Sequence, residues 1–221
     1  MTRVPRWAPF APYAVIGLAH LVMLLIPGGV DANVTKLMLM PALLVGVVVA
    51  LRARPSAALL VGSVGILFSW AGDALLESPG DVNFLIGLGL FLLAHLAYLA
   101  LFLRPLRERR IPRYAAAYAL WWLVLVVYLA PFVGSLLVPV AIYGLAVAAS
   151  AVTALAATRP AGLGALLFLT SDSILAFKLF VGGSDIVGID ALIMALYIAG
   201  QGFIAVAVVN RASRSQSRPV Q

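Results

Sequence analysis

The sequence predicts an all-α membrane protein, a polytopic bundle of about eight transmembrane helices. The first observation is composition, since 64% of the 221 residues are hydrophobic and only 10% are charged, against about a quarter charged in an ordinary soluble domain. A soluble core of this size has no room for so much apolar surface. The second is a series of apolar runs close to the ~20 residues that a helix needs to cross the hydrocarbon. The third is a charge pattern that alternates from loop to loop.

The apolar runs follow one another along the chain, separated by proline, glycine or charged residues that favour turns. They are expected to be helices because they lack the polar alternation of barrel strands, and a helix satisfies its own backbone hydrogen bonds in lipid. The first run follows Arg3 and Arg6 and is interpreted as a span, because no small-residue cleavage site precedes polar sequence. The predicted spans are 10–26, 34–51, 56–76, 82–103, 114–131, 135–158, 160–181 and 189–209.

Charged residues orient these spans. Arginines occur at both termini and in alternate loops, and the intervening loops hold acidic residues: Asp31, Glu77, Asp81, Asp185 and Asp190. The positive-inside rule then places both termini in the cytoplasm, which requires an even number of spans. We expect one transmembrane domain over 1–209 and a disordered, basic cytoplasmic tail over 210–221. Usage rich in arginine and alanine is typical of GC-rich bacterial genomes and favours a bacterial plasma membrane.

Several classes of chemistry lack support. The net charge of +7 is spread over short loops rather than gathered in a stripe, so no nucleic-acid partner is predicted. The chain has no cysteine, and it contains no HExxH, Walker, GxSxG or dinucleotide-binding motif. Its two histidines and two intramembrane aspartates lack compact ligand spacing. We therefore predict neither a metal nor a cofactor.

Two aspartates lie inside predicted spans, where an ionisable group needs a partner or a function. Asp73 belongs to the third run and Asp172 to the seventh. The segments around them align as Gly-x-Leu-(x)5-Asp-x-x-Leu, starting at Gly65 and at Gly164. A parallel repeat of four spans plus four would place the two carboxyl groups at comparable depth. The alternative is structural, since Asp73 lies close enough to the end of its span to reach water.

Other polar residues in or near the spans are candidates for substrate binding or for hydrogen-bonding support of the aspartates. Each has a structural alternative: a lysine near a span end can extend its amine to the surface, and tyrosine, serine, histidine or glutamine can join neighbouring helices. His20 is interpreted as such an interhelical contact, and Lys178 as a surface-directed lysine. The remaining candidates are Lys36, His95, Tyr98, Ser171, Tyr197 and Gln201.

The order and spacing of these residues resemble those of the YhhN family of membrane proteins, which includes lysoplasmalogenases. The resemblance rests on Thr35-Lys36, the FSWAGD segment ending at Asp73, Phe91-(x)3-His95-(x)2-Tyr98, the GALLFLTSDSILA segment at 164–176, and Tyr197-(x)3-Gln201. One departure is Leu37, where the family favours proline after the lysine. The resemblance implies an integral-membrane hydrolase whose partner is a lysophospholipid. It would cleave the vinyl ether bond of a lysoplasmalogen, giving a fatty aldehyde and a glycerophospho-ethanolamine or -choline.

Vinyl ethers are cleaved by acid, so the reaction needs a carboxyl group that keeps its proton and a nearby anion to stabilise the cation. Asp73 and Asp172 would supply both, because two carboxyl groups held together in a water-poor site do not ionise together and titrate as a pair. One would be the general acid and the other the base that orients water, in either assignment. Lys36 and His95 would bind the headgroup or tune the pair.

Three other functions stay open at this point. Paired acids, a lysine and a possible repeat are also typical of a proton-coupled transporter or a channel. Gly72-Asp73 resembles the Gly-Asp of intramembrane aspartyl proteases, although Pro41-Ala42-Leu43 precedes the first aspartate instead of following it. A non-catalytic lysolipid-binding membrane protein is the third.

Overall fold

The structure is a computed structural model that describes residues 8–26, 31–52, 55–182 and 186–216, with side chains up to Ser213. The described residues are helical and contain no β-strand, which confirms the all-α prediction. The α-helices are α1 (Ala11–Leu25), α2 (Asn33–Ala50), α3 (Ala57–Leu76), α4 (Asp81–Leu103), α5 (Ala116–Val133), α6 (Leu137–Ala154), α7 (Arg159–Phe180) and α8 (Ile189–Gln216). Short 3-10 helices cover Ala8–Phe10, Arg113–Ala115 and Gly134–Leu136.

Within the described ranges, seven helical segments are long and apolar enough to cross a membrane. One of them, Arg113–Ala154, contains both α5 and α6. The chain reverses between these two helices, because Trp122 Nε1 donates to the Ala141 carbonyl at 2.9 Å, whereas one straight helix would separate these residues by about 28 Å. Gly134 allows the reversal with a φ of +58°, which favours glycine.

The outer surface of the bundle is apolar. Large aliphatic side chains face away from the protein on several helices, including Val15 on α1, Leu60 on α3, Val127 on α5 and Val138 on α6, each at least 65% exposed. A water-soluble protein does not expose so many apolar side chains together, whereas lipid solvates them. The exposed surface therefore fits an integral membrane protein.

Glycines allow two pairs of helices to pack closely, as small residues do in membranes. A Cβ at Gly72 would lie 2.6 Å from the Phe91 ring, where α3 crosses α4. A Cβ at Gly164 would lie 2.7 Å from the Gly200 carbonyl oxygen, where α7 crosses α8. Since α3 and α8 are also in contact, these four helices form the centre of the bundle and carry most of the candidate site residues.

The two ends of the bundle differ in charge. Arginines that the structure describes lie where α2, α4 and α8 end and where α5 and α7 begin, and Arg109 Nε donates to the Leu155 carbonyl to join two of these loops. Lys36, near the start of α2, and Lys178, near the end of α7, lie at the opposite end. Some charged residues and some turn residues between the apolar runs lie outside the described residues. The charged ones are Arg3, Arg6, Arg54, Asp185 and Arg218, and the turn residues are Pro27-Gly28-Gly29 and Gly183.

Two predicted boundaries differ from the structure by more than two residues. The sixth run was expected to reach 158, but α6 ends at Ala154. The Ala156 carbonyl instead accepts hydrogen bonds from the amides of Glu108 and Arg109. The side chain of Thr158 already caps the start of α7. The eighth helix continues to Gln216, so residues 210–216 are helical where a disordered tail was expected. Ala212 in this extension is buried in the core, which stabilises the added turns; residues 217–221 lie outside the described part of the chain.

Candidate active site

A cavity of about 390 Å³ opens at the lysine end of the bundle. Its walls come from every α-helix except α5. Asp73 and Asp172 both line it, as do Lys36, Ser171 and Tyr197 from the predicted set. Apolar side chains fill much of the remaining wall; they include Leu76, Phe84, Leu88, Phe91, Leu175, Phe180, Ile193 and Met194.

Two ion pairs lie at the mouth of the cavity. Lys36 Nζ bonds the Glu77 carboxylate, which joins the start of α2 to the end of α3. Lys178 Nζ bonds the Asp190 carboxylate, which joins the end of α7 to the start of α8. These side chains are partly exposed, so their charges remain near water. Lys178 thus reaches the mouth of the site instead of serving only as a surface-directed lysine.

Asp73 is held deep in the cavity wall by a tyrosine. The residue is 4% exposed, and its Oδ2 accepts a hydrogen bond from the Tyr197 hydroxyl at 2.7 Å. Behind it, the Tyr98 hydroxyl donates to Gln201 Oε1 at 2.7 Å, and Gln201 Nε2 donates to Ser69 Oγ at 3.0 Å. Tyr98 and Gln201 therefore lie outside the cavity wall and tie α4 and α8 to the helix that carries Asp73.

Asp172 is held by a second tyrosine that the sequence reasoning missed. The Tyr143 hydroxyl of α6 donates to Asp172 Oδ2 at 2.5 Å, and His95 Nε2 lies 3.7 Å from the same oxygen. Tyr143 is the one tyrosine in the run predicted at 135–158, and a tyrosine in an apolar run gives no signal that separates packing from function. Ser171 lines the cavity, but its hydroxyl donates to the Ile193 carbonyl at 2.9 Å.

The hydrogen bonds of Ser150 favour one neutral form of His95. With the Ser150 hydroxyl proton on the Val147 carbonyl at 2.8 Å, Oγ accepts from His95 Nδ1, 3.0 Å away. In this form the N–H is on Nδ1 and the lone pair is on Nε2. That lone pair faces Asp172 and has no other partner among the described atoms. A proton between Nε2 and the carboxyl oxygen would satisfy both groups.

His20 shows the same arrangement at another part of the site. Thr35 Oγ1 donates to the Ala32 carbonyl at 2.8 Å and forms a hydrogen bond of 2.9 Å with His20 Nδ1. The predicted interhelical contact of His20 is present, because this bond joins α1 to α2. His20 also lines the cavity, which the sequence reasoning did not anticipate.

The two aspartates differ from the other acids of the cavity in their partners. Among the described side chains, Asp73 and Asp172 form no ion pair with lysine or arginine, whereas Glu77 and Asp190 each pair with a lysine. Each aspartate instead accepts from a tyrosine hydroxyl. No group of three or more histidine, aspartate or glutamate side chains in the described ranges is arranged to hold a metal ion. The carboxyl groups of Asp73 and Asp172, each bonded to a tyrosine hydroxyl, can donate and accept protons.

The chain is similar to curated lysoplasmalogenases over about half of its length. It is 37% identical over 131 residues to the lysoplasmalogenases of Mycobacterium bovis and Mycobacterium tuberculosis, covering 54% of this chain and 50% of each relative. It is 37% identical over 114 residues to the lysoplasmalogenase TMEM86B of Rattus norvegicus, covering 51% of this chain and 47% of that protein. The chain thus spans about half the length of the curated relatives that it matches, and no solved structure matches it.

A sequence model of the YhhN family covers more of the chain. It matches residues 32–208, from the residue before α2 to within α8. The match includes both aspartates and every residue of the predicted site, but not His20. The resemblance seen in the sequence is confirmed, and the chain belongs to the YhhN family.

Proposed function

We propose that this protein is a membrane-embedded lysoplasmalogenase that hydrolyses the vinyl ether bond of lysoplasmenyl-ethanolamine or -choline. One observation carries the proposal: two carboxyl groups, Asp73 of α3 and Asp172 of α7, line one cavity without a lysine or arginine partner among the described side chains. Curated relatives with 37% identity over about half the chain are named lysoplasmalogenases. An acid-catalysed hydrolysis in a mostly apolar cavity is consistent with both observations.

The hydrolysis delivers two protons to the substrate, one to the β-carbon and one to the glycerol oxygen, and removes the two protons of the attacking water. The general acid protonates the β-carbon of the vinyl ether, and the electron pair of the double bond forms the new C–H bond. The resulting oxocarbenium ion is attacked by water at the carbon that carries the ether oxygen, while a general base takes the proton of that water. The hemiacetal then collapses: its hydroxyl loses a proton, the bond to the glycerol oxygen breaks, and that oxygen is protonated. The products, a fatty aldehyde and glycerophospho-ethanolamine or -choline, then leave.

We assign the acid to the pair of Asp172 and His95. The lone pair of neutral His95 Nε2 faces Asp172 Oδ2 at 3.7 Å, and a proton on one of two facing acceptors in a water-poor site removes the repulsion between them. The Asp172 side chain is 16% exposed and lines the cavity, so its carboxyl group can reach a substrate. Tyr143, which donates to the same oxygen, leaves the other carboxyl oxygen free for the transfer.

Asp73 is then the base and the anion that stabilises the oxocarbenium ion. The Tyr197 hydroxyl donates to it at 2.7 Å, a contact that favours the ionised form and leaves further acceptor positions for water. The Tyr98, Gln201 and Ser69 hydrogen bonds behind it keep α3, α4 and α8 in register. Electrostatic stabilisation of this kind requires fixed groups, because each must be in place before charge develops.

The substrate has a charged headgroup and an apolar chain, and the cavity likewise has a charged mouth and a mostly apolar wall. Lys36 and Lys178 at the mouth can exchange their carboxylate partners for the phosphate of the headgroup. The apolar wall continues into a second cavity of about 50 Å³, which is lined by Trp121, Leu125 and other residues of α5 to α7 and also reaches Asp172. The alkenyl chain would lie along this wall, with its vinyl ether bond between the two aspartates.

The proposed topology has eight spans with both termini in the cytoplasm. Its support is the reversal between α5 and α6 and the position of the described arginines at one end of the bundle, as the positive-inside rule requires. The cavity mouth then faces the opposite side of a bacterial plasma membrane. The parallel repeat is supported by the aligned glycines, since Gly65 packs against Tyr98 of α4 and Gly164 packs against Gly200 of α8. In each half a glycine lies at the contact with the following helix.

The test is aldehyde release from lysoplasmenyl-ethanolamine by the purified protein. We expect Asp73→Asn and Asp172→Asn each to lower kcat/KM by at least ~100-fold, since acid–base catalysis typically contributes ~100- to 10,000-fold. The matched control is Asp81→Asn, which changes an exposed acid of the first turn of α4 that does not line the cavity. In heavy water the aldehyde should carry deuterium on the carbon next to its carbonyl group.

Three results would contradict the proposal. Full activity in folded Asp73→Asn and Asp172→Asn variants would exclude the aspartates as acid and base. Movement of solute or protons across reconstituted vesicles without aldehyde release would indicate a transporter or channel. Binding of lysolipids without any product would indicate a non-catalytic binding protein.

A further inference from the structure

His20 lines the cavity and, among the described side chains, has a buried hydrogen-bonding atom without a partner. Its residue exposure is 2%, and its Nε2 is buried with no partner among the described atoms. An unpaired nitrogen acceptor in an apolar site costs free energy unless a ligand satisfies it. His20 lies on α1, before the residues that the family model matches.

The form of His20 decides what kind of atom it can bind. Thr35 Oγ1 has one proton, which the Ala32 carbonyl at 2.8 Å and Met23 Sδ at 3.8 Å are both placed to accept. With that proton on either acceptor, His20 Nδ1 is the donor in the 2.9 Å contact with Thr35. The neutral imidazole then has only a lone pair on Nε2. Its ligand must be an O–H or N–H donor. Phosphate oxygens and ether oxygens of a lysolipid are acceptors and do not fit.

The position of His20 places it near the reacting end of a bound lysolipid. Neighbours of His20 on the buried face of α1 pack on α8: Tyr13 donates to the Ile198 carbonyl at 2.7 Å, and a Cβ at Gly17 would lie 3.2 Å from the Ile198 side chain. Ile198 follows Tyr197, which bonds Asp73. From the other side, the Thr35 partner of His20 precedes Lys36, whose carboxylate partner lies one turn from Asp73. His20 and Asp73 thus belong to one region of the cavity wall.

We propose that His20 is a specificity-determining residue whose Nε2 accepts a hydrogen bond from the free sn-2 hydroxyl of the lysolipid. This inference rests on the proposed function. The sn-2 hydroxyl is on the carbon next to the one that carries the vinyl ether oxygen, so a substrate with its ether at Asp73 presents this donor in the same region. A second acyl chain at sn-2 removes the donor and adds bulk beside a buried side chain. His20 therefore selects one-chain lipids over two-chain lipids.

The experiment measures binding instead of turnover. The probes are 1-O-alkyl lysophosphatidylcholine, whose saturated ether is not cleaved, and its 2-deoxy analogue, which lacks only the sn-2 hydroxyl. Choline has no N–H, so the hydroxyl is the one donor in the molecule. We expect the wild-type protein to bind the hydroxyl lipid about 5- to 30-fold more tightly, as one buried hydrogen bond provides. In His20→Phe this ratio should fall to about one, because only the hydroxyl lipid loses affinity.

Two further variants separate this role from a structural one. Tyr13→Phe removes a hydrogen bond between α1 and α8 on the same helix face but does not line the cavity, and it should leave the ratio unchanged. Thr35→Val leaves His20 in place but removes the group that fixes its N–H on Nδ1, and it should lower the ratio part of the way. Both variants remain informative if His20→Phe fails to fold.

The outcomes are distinct. A wild-type ratio of one, or equal losses of both lipids in His20→Phe, would overturn the proposal; equal losses would indicate a phosphate contact or a packing role. Reduction of the ratio by Tyr13→Phe as large as that by His20→Phe would also overturn it. If His20 sets the ratio but lysoplasmenyl lipids give no aldehyde, the hydroxyl contact stands and the proposed hydrolysis fails.

Discussion

The contact of α7 with α8 at Gly164 and Gly200 allows a quantitative prediction for Gly164→Ala. The added Cβ would lie 2.7 Å from the Gly200 carbonyl oxygen, 0.7 Å short of the 3.4 Å at which ordinary contact begins, and 3.0 Å from the Ile204 amide nitrogen. These neighbours are helix backbone and cannot rotate away, so the two helices must separate. Overpacking of this kind costs about 1–3 kcal/mol. Because α7 carries Asp172 and α8 carries Tyr197, aldehyde release should also fall.

The matched control is Gly162→Ala on the same helix. Its Cβ would meet only the Ala154 carbonyl oxygen, at an ordinary 3.6 Å. Both variants gain the same helix propensity, up to about 1 kcal/mol, so the difference between them isolates the overpacking. Thermal unfolding in detergent, followed by tryptophan fluorescence, should place Gly164→Ala about 2–10 °C below Gly162→Ala. If Gly164→Ala melts at or above the temperature of Gly162→Ala, the close crossing of α7 and α8 is wrong.

Two further predictions concern tyrosines around the site. Tyr143→Phe removes the hydroxyl that donates to Asp172 at 2.5 Å. Steady-state kinetics should show kcat about 3- to 10-fold lower with little change in KM, because a hydrogen bond to a protonated carboxyl group contributes about 0.5–1.5 kcal/mol. An unchanged kcat would contradict this role. Tyr98→Phe leaves Gln201 Oε1 buried without its donor. The melting temperature should drop by about 2–4 °C, since an interhelical hydrogen bond contributes roughly 1 kcal/mol. An unchanged melting temperature would show that the bond adds no stability.

Hydropathy predicted the helices well because lipid imposes one solution on every span. An apolar run of about 20 residues in hydrocarbon must form a helix to satisfy its backbone, so the predicted 82–103 and the observed Asp81–Leu103 differ by one residue. The misplaced boundaries lie where water and tertiary packing decide. Residues 155–158 are apolar or small, yet Ala156 accepts backbone hydrogen bonds from a distant loop. Burial of Ala212 extends α8 into a basic segment that hydropathy alone interprets as a tail.

The aspartates were accessible to sequence reasoning, whereas their partners were not. An acidic residue in an apolar run is rare because its insertion into the membrane is costly, and this makes Asp73 and Asp172 easy to identify in the sequence. Tyr143 and His20 do not stand out in the same way, because tyrosine and histidine are common in helix packing. Their roles depend on which helices meet and on where each hydroxyl or imidazole nitrogen points. Neither fact is encoded within one span.

The two histidines illustrate how a membrane protein can set a proton's position with local bonds. In each case a hydroxyl donates to the carbonyl three residues earlier on its own helix: Thr35 to Ala32 and Ser150 to Val147. With its proton committed there, the hydroxyl accepts from the histidine that touches it, which then carries N–H on Nδ1 and a lone pair on Nε2. The lone pair of His95 lies 3.7 Å from the Asp172 carboxyl group, whereas that of His20 has no partner among the described atoms. This difference gives two identical side chains different proposed roles: proton exchange with a carboxyl group in one and recognition of a donor in the other.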